Sequence, residues 1–226
     1  MKRYEKRADR RLWMIFLVFG LLFVCLSQKK ETVLVSQTKV VVLPKIALTF
    51  DDGPHPVYTP KLLEGLRKRN VKCTFFVTGE NASLYPELIE QMQKDGHLVG
   101  NHTYHHVQLS AVGEDIFLQE LEETNRVLEE ILGTEILFVR PPYGDWSKQI
   151  EQKINMFPVL WDVDPLDWCT GNVSKVRQTV LNNVEDDSII LMHDYYETSV
   201  EAALEIVDAL IQEGYEFVTV DELLVE

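Results

Sequence analysis

The feature that most constrains this chain is an alternation. Between residues 45 and 220, short apolar runs and amphipathic stretches follow one another about seven times. The strand-like runs are KIALTF (45–50), KCTFFVTG (72–79), HLVGN (97–101), EILFVR (135–140), FPVLWDVD (157–164), SIILMHD (188–194) and EFVTV (216–220). Helical periodicity predicts helices over 58–70, 83–96, 115–133, 147–155, 174–183 and 199–214. Strands joined through helices run parallel, and nearly continuous apolar strands are buried on both faces. A closed barrel and an open doubly wound sheet are the two architectures that fit. In both, chemistry gathers where the strands end.

The strand ends carry the ionisable residues. KIALTF runs into Asp51-Asp52-Gly53-Pro54 and HLVG into Asn101-His102-Thr103-Tyr104-His105-His106. EILFV runs into Arg140-Pro141-Pro142-Tyr143-Gly144, FPVLW into Asp162, Asp164, Asp167 and Trp168, and SIILM into His193-Asp194. A single acidic residue after a strand is ordinarily a turn residue or a helix N-cap. Five such ends converging on one rim point to a site.

His102 and His106 are four apart, so one helical turn would stack them as a metal-binding pair. His102 with His105, three apart, is the geometric competitor. Asp51 and Asp52 are adjacent, and in a strand their side chains diverge. One can then ligate a metal while the other faces a water as general base.

The N-terminus differs from the rest. MKRYEKRADRR holds six basic and two acidic residues, and 15 residues from Leu12 to Leu26 form an apolar run. That is slightly short of the roughly 17–25 residues of a spanning helix. The basic flank predicts an anchor with the remainder outside the cytoplasm. The competing reading is a signal peptide cleaved after Cys25-Leu26-Ser27, which would make the protein secreted. Residues 1–27 are thus read as basic flank and transmembrane helix, 28–43 as linker and 44–226 as the catalytic domain. The net charge of −14 hides an asymmetry: beyond residue 30 the chain has 14 basic and 34 acidic residues. That composition disfavours nucleic acid as a partner. Cys25, Cys73 and Cys169 have no zinc-type spacing, and buried free thiols are expected over a 73–169 disulfide.

TFDDGP, His102-x-x-x-His106, Arg140-Pro-Pro-Tyr143, Asp164-x-x-Asp167-Trp168 and Leu191-Met-His193 occur in this order. The order resembles that of the polysaccharide deacetylase (NodB-homology) family, carbohydrate esterase family 4, over residues 44–226. The resemblance implies a distorted (β/α)7 barrel. It implies that Asp52, His102 and His106 bind a divalent metal, most commonly Zn²⁺, with Co²⁺ or another ion as alternatives. By the same likeness Asp51 is the catalytic base and Arg140 orients it. His193 is the general acid and Asp167 its partner. The N–H of Tyr143, after Pro142, stabilises the oxyanion, and Trp168 and Leu191 line the acetyl pocket. His55, His97 and His105 have no family role.

The implied reaction is hydrolysis of the N-acetyl group of N-acetylglucosamine residues. An outward-facing anchor favours a cell-envelope polymer, peptidoglycan first. Chitooligosaccharides, poly-N-acetylglucosamine and O-acetylated xylan are the alternatives, and a non-catalytic glycan-binding role is the least favoured. No obligate protein partner is expected. Tyr104, Tyr143, Trp146, Trp168, Tyr195 and Tyr196 are the candidate aromatic platforms for a glycan.

Overall fold

The computed structural model describes residues 43–224. The predicted anchor over 1–27 and all of the predicted linker but Leu43 lie outside them. Among the described residues no helix is long and apolar enough to cross a membrane.

The strands are β1 (Lys45–Asp51), β2 (Thr74–Val77), β3 (Leu98–Asn101), β4 (Phe138–Val139), β5 (Phe157–Pro158), β6 (Ser188–His193) and β7 (Glu216–Phe217). They form one sheet in the order β5-β4-β3-β2-β1-β6, and every pairing is parallel. β7 pairs only with Lys45 and Ile46 at the start of β1. Past β5 the chain reaches β6, where Val163 bridges to Ile190. Leu191 N–H donates to the Val163 carbonyl at 2.9 Å there. The α/β reading with parallel strands holds. The two outer strands meet through one bridge and not a full ladder, and the distortion is concentrated there.

The helices are α1 (Tyr58–Arg69), α2 (Gly79–Leu84), α3 (Pro86–Lys94), α4 (Leu109–Val112), α5 (Glu114–Leu132), α6 (Lys148–Glu151), α7 (Val173–Asn183), α8 (Glu197–Glu213) and α9 (Val220–Leu224). Three departures from the sequence reading have local causes. The helix predicted over 83–96 is two helices, because Pro86 forces Tyr85 out of the helical region (φ −133°, ψ 57°). The strand predicted over 157–164 ends at Pro158, because Arg140 takes the next two carbonyls as acceptors, Val159 at 3.1 Å and Leu160 at 3.1 Å. The strand predicted over 216–220 gives way to α9. Glu222 reaches back to the Thr219 N–H at 3.1 Å, half of a capping box written in the sequence as T-V-D-E.

Two cores result from the alternation along β1. Ile46, Leu48 and Phe50 join the larger cluster with helix residues such as Leu62, Leu128 and Ile206. Ala47, of opposite parity, joins Phe76, Phe138, Val159 and Val220 in a small inner cluster. Val220 of α9 is fully buried there, and its N–H donates to Thr74 Oγ1 at 3.0 Å. Thr49 and Asp51 share the parity of Ala47, and both bond to Arg140. The inner face of β1 is therefore apolar at its start and polar at its end. Cys73 is buried and Cys169 exposed, and both are free thiols. The pair is not bridged, and the buried-thiol expectation fails for Cys169.

Phe76→Ala removes the more deeply buried of the two rings of the inner cluster. It should cost about 3–5 kcal/mol, read as a lower midpoint in urea at unchanged slope. A loss below about 1 kcal/mol would mean that the cluster collapses into the gap.

Candidate active site

Asp51 is the last residue of β1, and Asp52 follows with φ 73°. A non-glycine residue in the left-handed region is uncommon. The two carboxylates nevertheless meet at one histidine: Asp51 Oδ2 and Asp52 Oδ1 lie 3.7 and 3.4 Å from His102 Nε2, so they do not diverge as they would in a continuing strand. Asp51 Oδ1 accepts from Arg140 Nη1 at 2.9 Å in a fully buried ion pair. Asp52 aims at the histidines, and Asn81 holds its carbonyl from behind at 2.8 Å.

The histidine loop does what a helical turn was expected to do, by other means. Residues 102–108 are not helical. Thr103 (φ 62°) and His106 (φ 56°) are both left-handed instead. Asn101 fixes the first of these: its Oδ1 accepts the Thr103 N–H at 2.8 Å, and its amide donates to the Leu121 carbonyl at 2.9 Å. The Thr103 hydroxyl then accepts the Val107 N–H at 3.1 Å. Nothing in the spacing of the histidines announced Asn101.

Asp52, His102 and His106 each bring one donor atom into a group no wider than 4.8 Å. Asp52 Oδ1 lies 3.4 Å from His102 Nε2 and 3.3 Å from His106 Nε2. That oxygen is buried and has no hydrogen-bond partner. His102 Nδ1 faces the Arg140 carbonyl at 2.6 Å. A proton on Nδ1 leaves the Nε2 lone pair for a cation. One carboxylate and two imidazoles fit a divalent metal such as zinc with positions left open. Burial alone would raise the Asp52 pKa, but His102 and the charges of His106 and His193 bring it down to about 2. Burial disfavours charge on His102, yet Asp51 and Asp52 raise its pKa on balance. His105 is excluded: it is exposed and pairs with Glu120 on α5 at 2.9 Å.

Arg140 is fully buried, and four of its five N–H groups donate hydrogen bonds. Besides Asp51 and the two carbonyls, it donates to Thr49 Oγ1 at 2.5 Å. Its guanidinium lies 4.3 Å above the Phe76 ring. On the neighbouring strand, where His193 stands in register with Asp51, Asp167 receives both the Nδ1–H and the backbone N–H of His193, each at 2.9 Å. Burial would lower the His193 pKa, but Asp167, with help from Asp51 and Asp52, lifts it to about 9. Asp51, Asp52, His102, His106 and His193 face a cavity of about 260 Å³, whose walls include Tyr143, Trp161, Trp168, Leu191 and Tyr196.

The family model for polysaccharide deacetylases matches residues 41–159. The chain belongs to the polysaccharide deacetylase family. The peptidoglycan-N-acetylmuramic acid deacetylase PdaC of Bacillus subtilis is 41% identical over 195 residues, which are 82% of this chain and 42% of that protein. The peptidoglycan-N-acetylglucosamine deacetylase of Bacillus cereus is 37% identical over 79% of this chain and 68% of its own length. The chain thus spans less than half of PdaC and about two thirds of the Bacillus cereus protein. The solved PdaC structure superposes with a TM-score of 0.78 at 40% identity, over 80% of this chain and 90% of that one. A family 4 acetyl xylan esterase from Clostridium thermocellum, solved with a cobalt ion, gives 0.74 at 34% identity over 80% and 90%.

Some sequence candidates lie elsewhere. Trp146 packs in the core edge-on to Phe117, with ring centroids 6.3 Å apart. Tyr104 fills the space beside Gly79, where a Cβ would come within 2.3 Å of its ring. Pro142 is buried and does not line the cavity. Two residues carry weight that the sequence reading did not give them. Trp161 lines the cavity and lies 5.7 Å from the Arg140 guanidinium. Asp194 is fully buried, accepts from the Thr59 hydroxyl and presses against Gly53. A Cβ at position 53 would stand 2.2 Å from its carboxylate, so only glycine admits the contact. Burial and the charge of Asp52 raise the Asp194 pKa to about 7.

The donor set makes a separable prediction. His102→Ala and His106→Ala should each lower bound zinc from about one ion per chain towards background, measured by elemental analysis after dialysis. His105→Ala should bind like the parent. Equal loss from His105→Ala would exclude this ligand set.

Proposed function

We propose that this chain is a metal-dependent hydrolase that removes the N-acetyl group from N-acetylglucosamine residues of a cell-envelope polysaccharide, peptidoglycan first. One observation carries the reading. A buried Arg140-paired carboxylate stands beside an Asp-His-His donor set and, on the next strand in register with it, a histidine paired with its own aspartate; both face one cavity. The peptidoglycan deacetylases among its relatives support the substrate class.

Asp52, His102 and His106 would hold a divalent ion, Zn²⁺ foremost, which would supply Lewis-acid polarisation and a more acidic water. Asp51 takes the proton of the attacking water as general base. Arg140 keeps that carboxylate fixed. The Tyr143 N–H, set by a left-handed residue (φ 61°), stabilises the oxyanion that forms on the acyl carbon. His193, protonated against Asp167, gives its proton to the departing nitrogen. Acetate leaves, and the sugar keeps a free amine. Trp168 and Leu191 form the wall on which the acetyl methyl rests. An amine is a poor leaving group until protonated, so the His193–Asp167 pair favours an amide over an ester substrate. The basic flank and apolar run at the N-terminus support a membrane-anchored enzyme with this domain outside the cell.

Acetate should be released from peptidoglycan or N-acetylglucosamine oligomers, be lost on chelation and return with zinc. No release from either, with zinc bound, would sink the substrate assignment. Asp51→Asn should lower kcat by about 10²–10⁴-fold while bound zinc is kept. The acid must be protonated to act, so activity falls as pH rises through the His193 pKa. A bound cation offsets the share due to Asp51 and Asp52, which places that alkaline limb at or below about 9. Asp167→Asn removes the main upward influence and should shift the limb of kcat/KM to lower pH. An unmoved limb would remove His193 from the acid role.

A further inference from the structure

We propose that Tyr195 and Tyr196 form a sugar-binding subsite beside the catalytic cavity, which takes the pyranose ring next to the reacting one. The proposal rests on the glycan reading above and deepens it. Both tyrosines stand in the turn between β6 and α8, directly after His193 and Asp194. Tyr196 forms part of the cavity wall, so the pair continues the site outward. Their rings lie 6.0 Å apart at 72°, and they are 39% and 41% exposed.

Single exposed aromatics are common on any surface and need no explanation. What sets this pair apart is its backing. Tyr195 meets the His55 ring edge-on at 4.8 Å, and His55 stacks on Tyr58 at 4.4 Å and 17°. The His55 ring is itself pinned: its Nδ1 accepts the Val57 N–H at 3.2 Å and the Tyr58 N–H at 3.3 Å. The His55 N–H donates to Thr59 Oγ1 at 2.7 Å, and that hydroxyl donates to the buried Asp194. The platform is thereby tied to the strand end that carries the general acid.

A rigid ring with an apolar face and a phenolic hydroxyl suits a sugar. It can cover the sugar's C–H face and hydrogen-bond its rim. Little ordering is left to be done at binding.

The test uses the full zinc-loaded chain and N-acetylglucosamine oligomers from dimer to pentamer. Tyr195→Ala should raise KM for the pentamer about threefold to tenfold, the size of one lost aromatic contact, and leave kcat within about twofold. The rise should be smaller for the dimer, which can bind in a register that avoids the subsite. Tyr195→Phe keeps the ring and should recover most of the loss. An unchanged pentamer KM overturns the subsite. An equal fall in hydrolysis of 4-nitrophenyl acetate, which carries no sugar, marks a merely structural role and also overturns it. If the parent releases no acetate from any glycan, the glycan-deacetylase reading fails first. Calorimetric titration with the pentamer then decides the subsite on its own. Weaker binding to Tyr195→Ala supports it, and equal affinity or no binding overturns it.

Discussion

The pairing of Arg140 with Asp51 is the interaction on which the rest of the site depends. A buried ion pair is stable only when most of the remaining donors are matched, because an uncompensated charge in the interior costs several kcal/mol. Here Thr49 and the carbonyls of Val159 and Leu160 match three of the four remaining donors, and the Phe76 ring lies against the guanidinium. The same residue serves the metal side through its main chain, since its carbonyl meets His102 Nδ1. One arginine therefore fixes the direction of the Asp51 carboxylate and the tautomer of His102. Moving it would disturb both together.

The layering beneath this pair follows from the parity of β1. Apolar side chains fill the inner end, with Val220 of α9 as the floor. The arginine layer lies above, and the donor set above that. The rim is where the backbone departs from its easy conformations: Asp52, Thr103, His106 and Tyr143 all have positive φ. Each such residue costs about 1–3 kcal/mol unless its surroundings hold it. Asn101 and Asn81 are among the side chains that do so, and Asn101 takes its own support from α5.

Much of this was legible before any coordinates. The positions of Asp51, Asp52, His102, His106, Arg140 and His193 at strand ends follow from the alternation and from which residues terminate each run. The divergence expected of the two aspartates was not met, because Asp52 leaves the strand with positive φ and both carboxylates approach His102. The means of bringing the histidines together was not legible either. A helical turn and a loop with two left-handed residues both unite positions four apart, and spacing alone cannot distinguish them. The short strands were overread because apolar runs such as FPVLW report burial, whereas strand pairing needs free carbonyls that Arg140 had taken. α9 was readable in its T-V-D-E cap but was hidden by the β-branched residues before it. Trp146 and Tyr104 illustrate a further limit: an aromatic near a motif can face the core or the cleft, and only packing decides.

The contact between Gly53 and Asp194 has a consequence for how such a chain can change. The two positions are 141 residues apart in the sequence yet share one volume. A side chain gained at 53 has no room unless 194 shrinks, and a smaller residue at 194 leaves Thr59 without its acceptor. Neither step is open alone, so drift through single substitutions is blocked on both sides. The pair behaves as one inherited character. A designer who grafts this loop onto another barrel must carry both positions across.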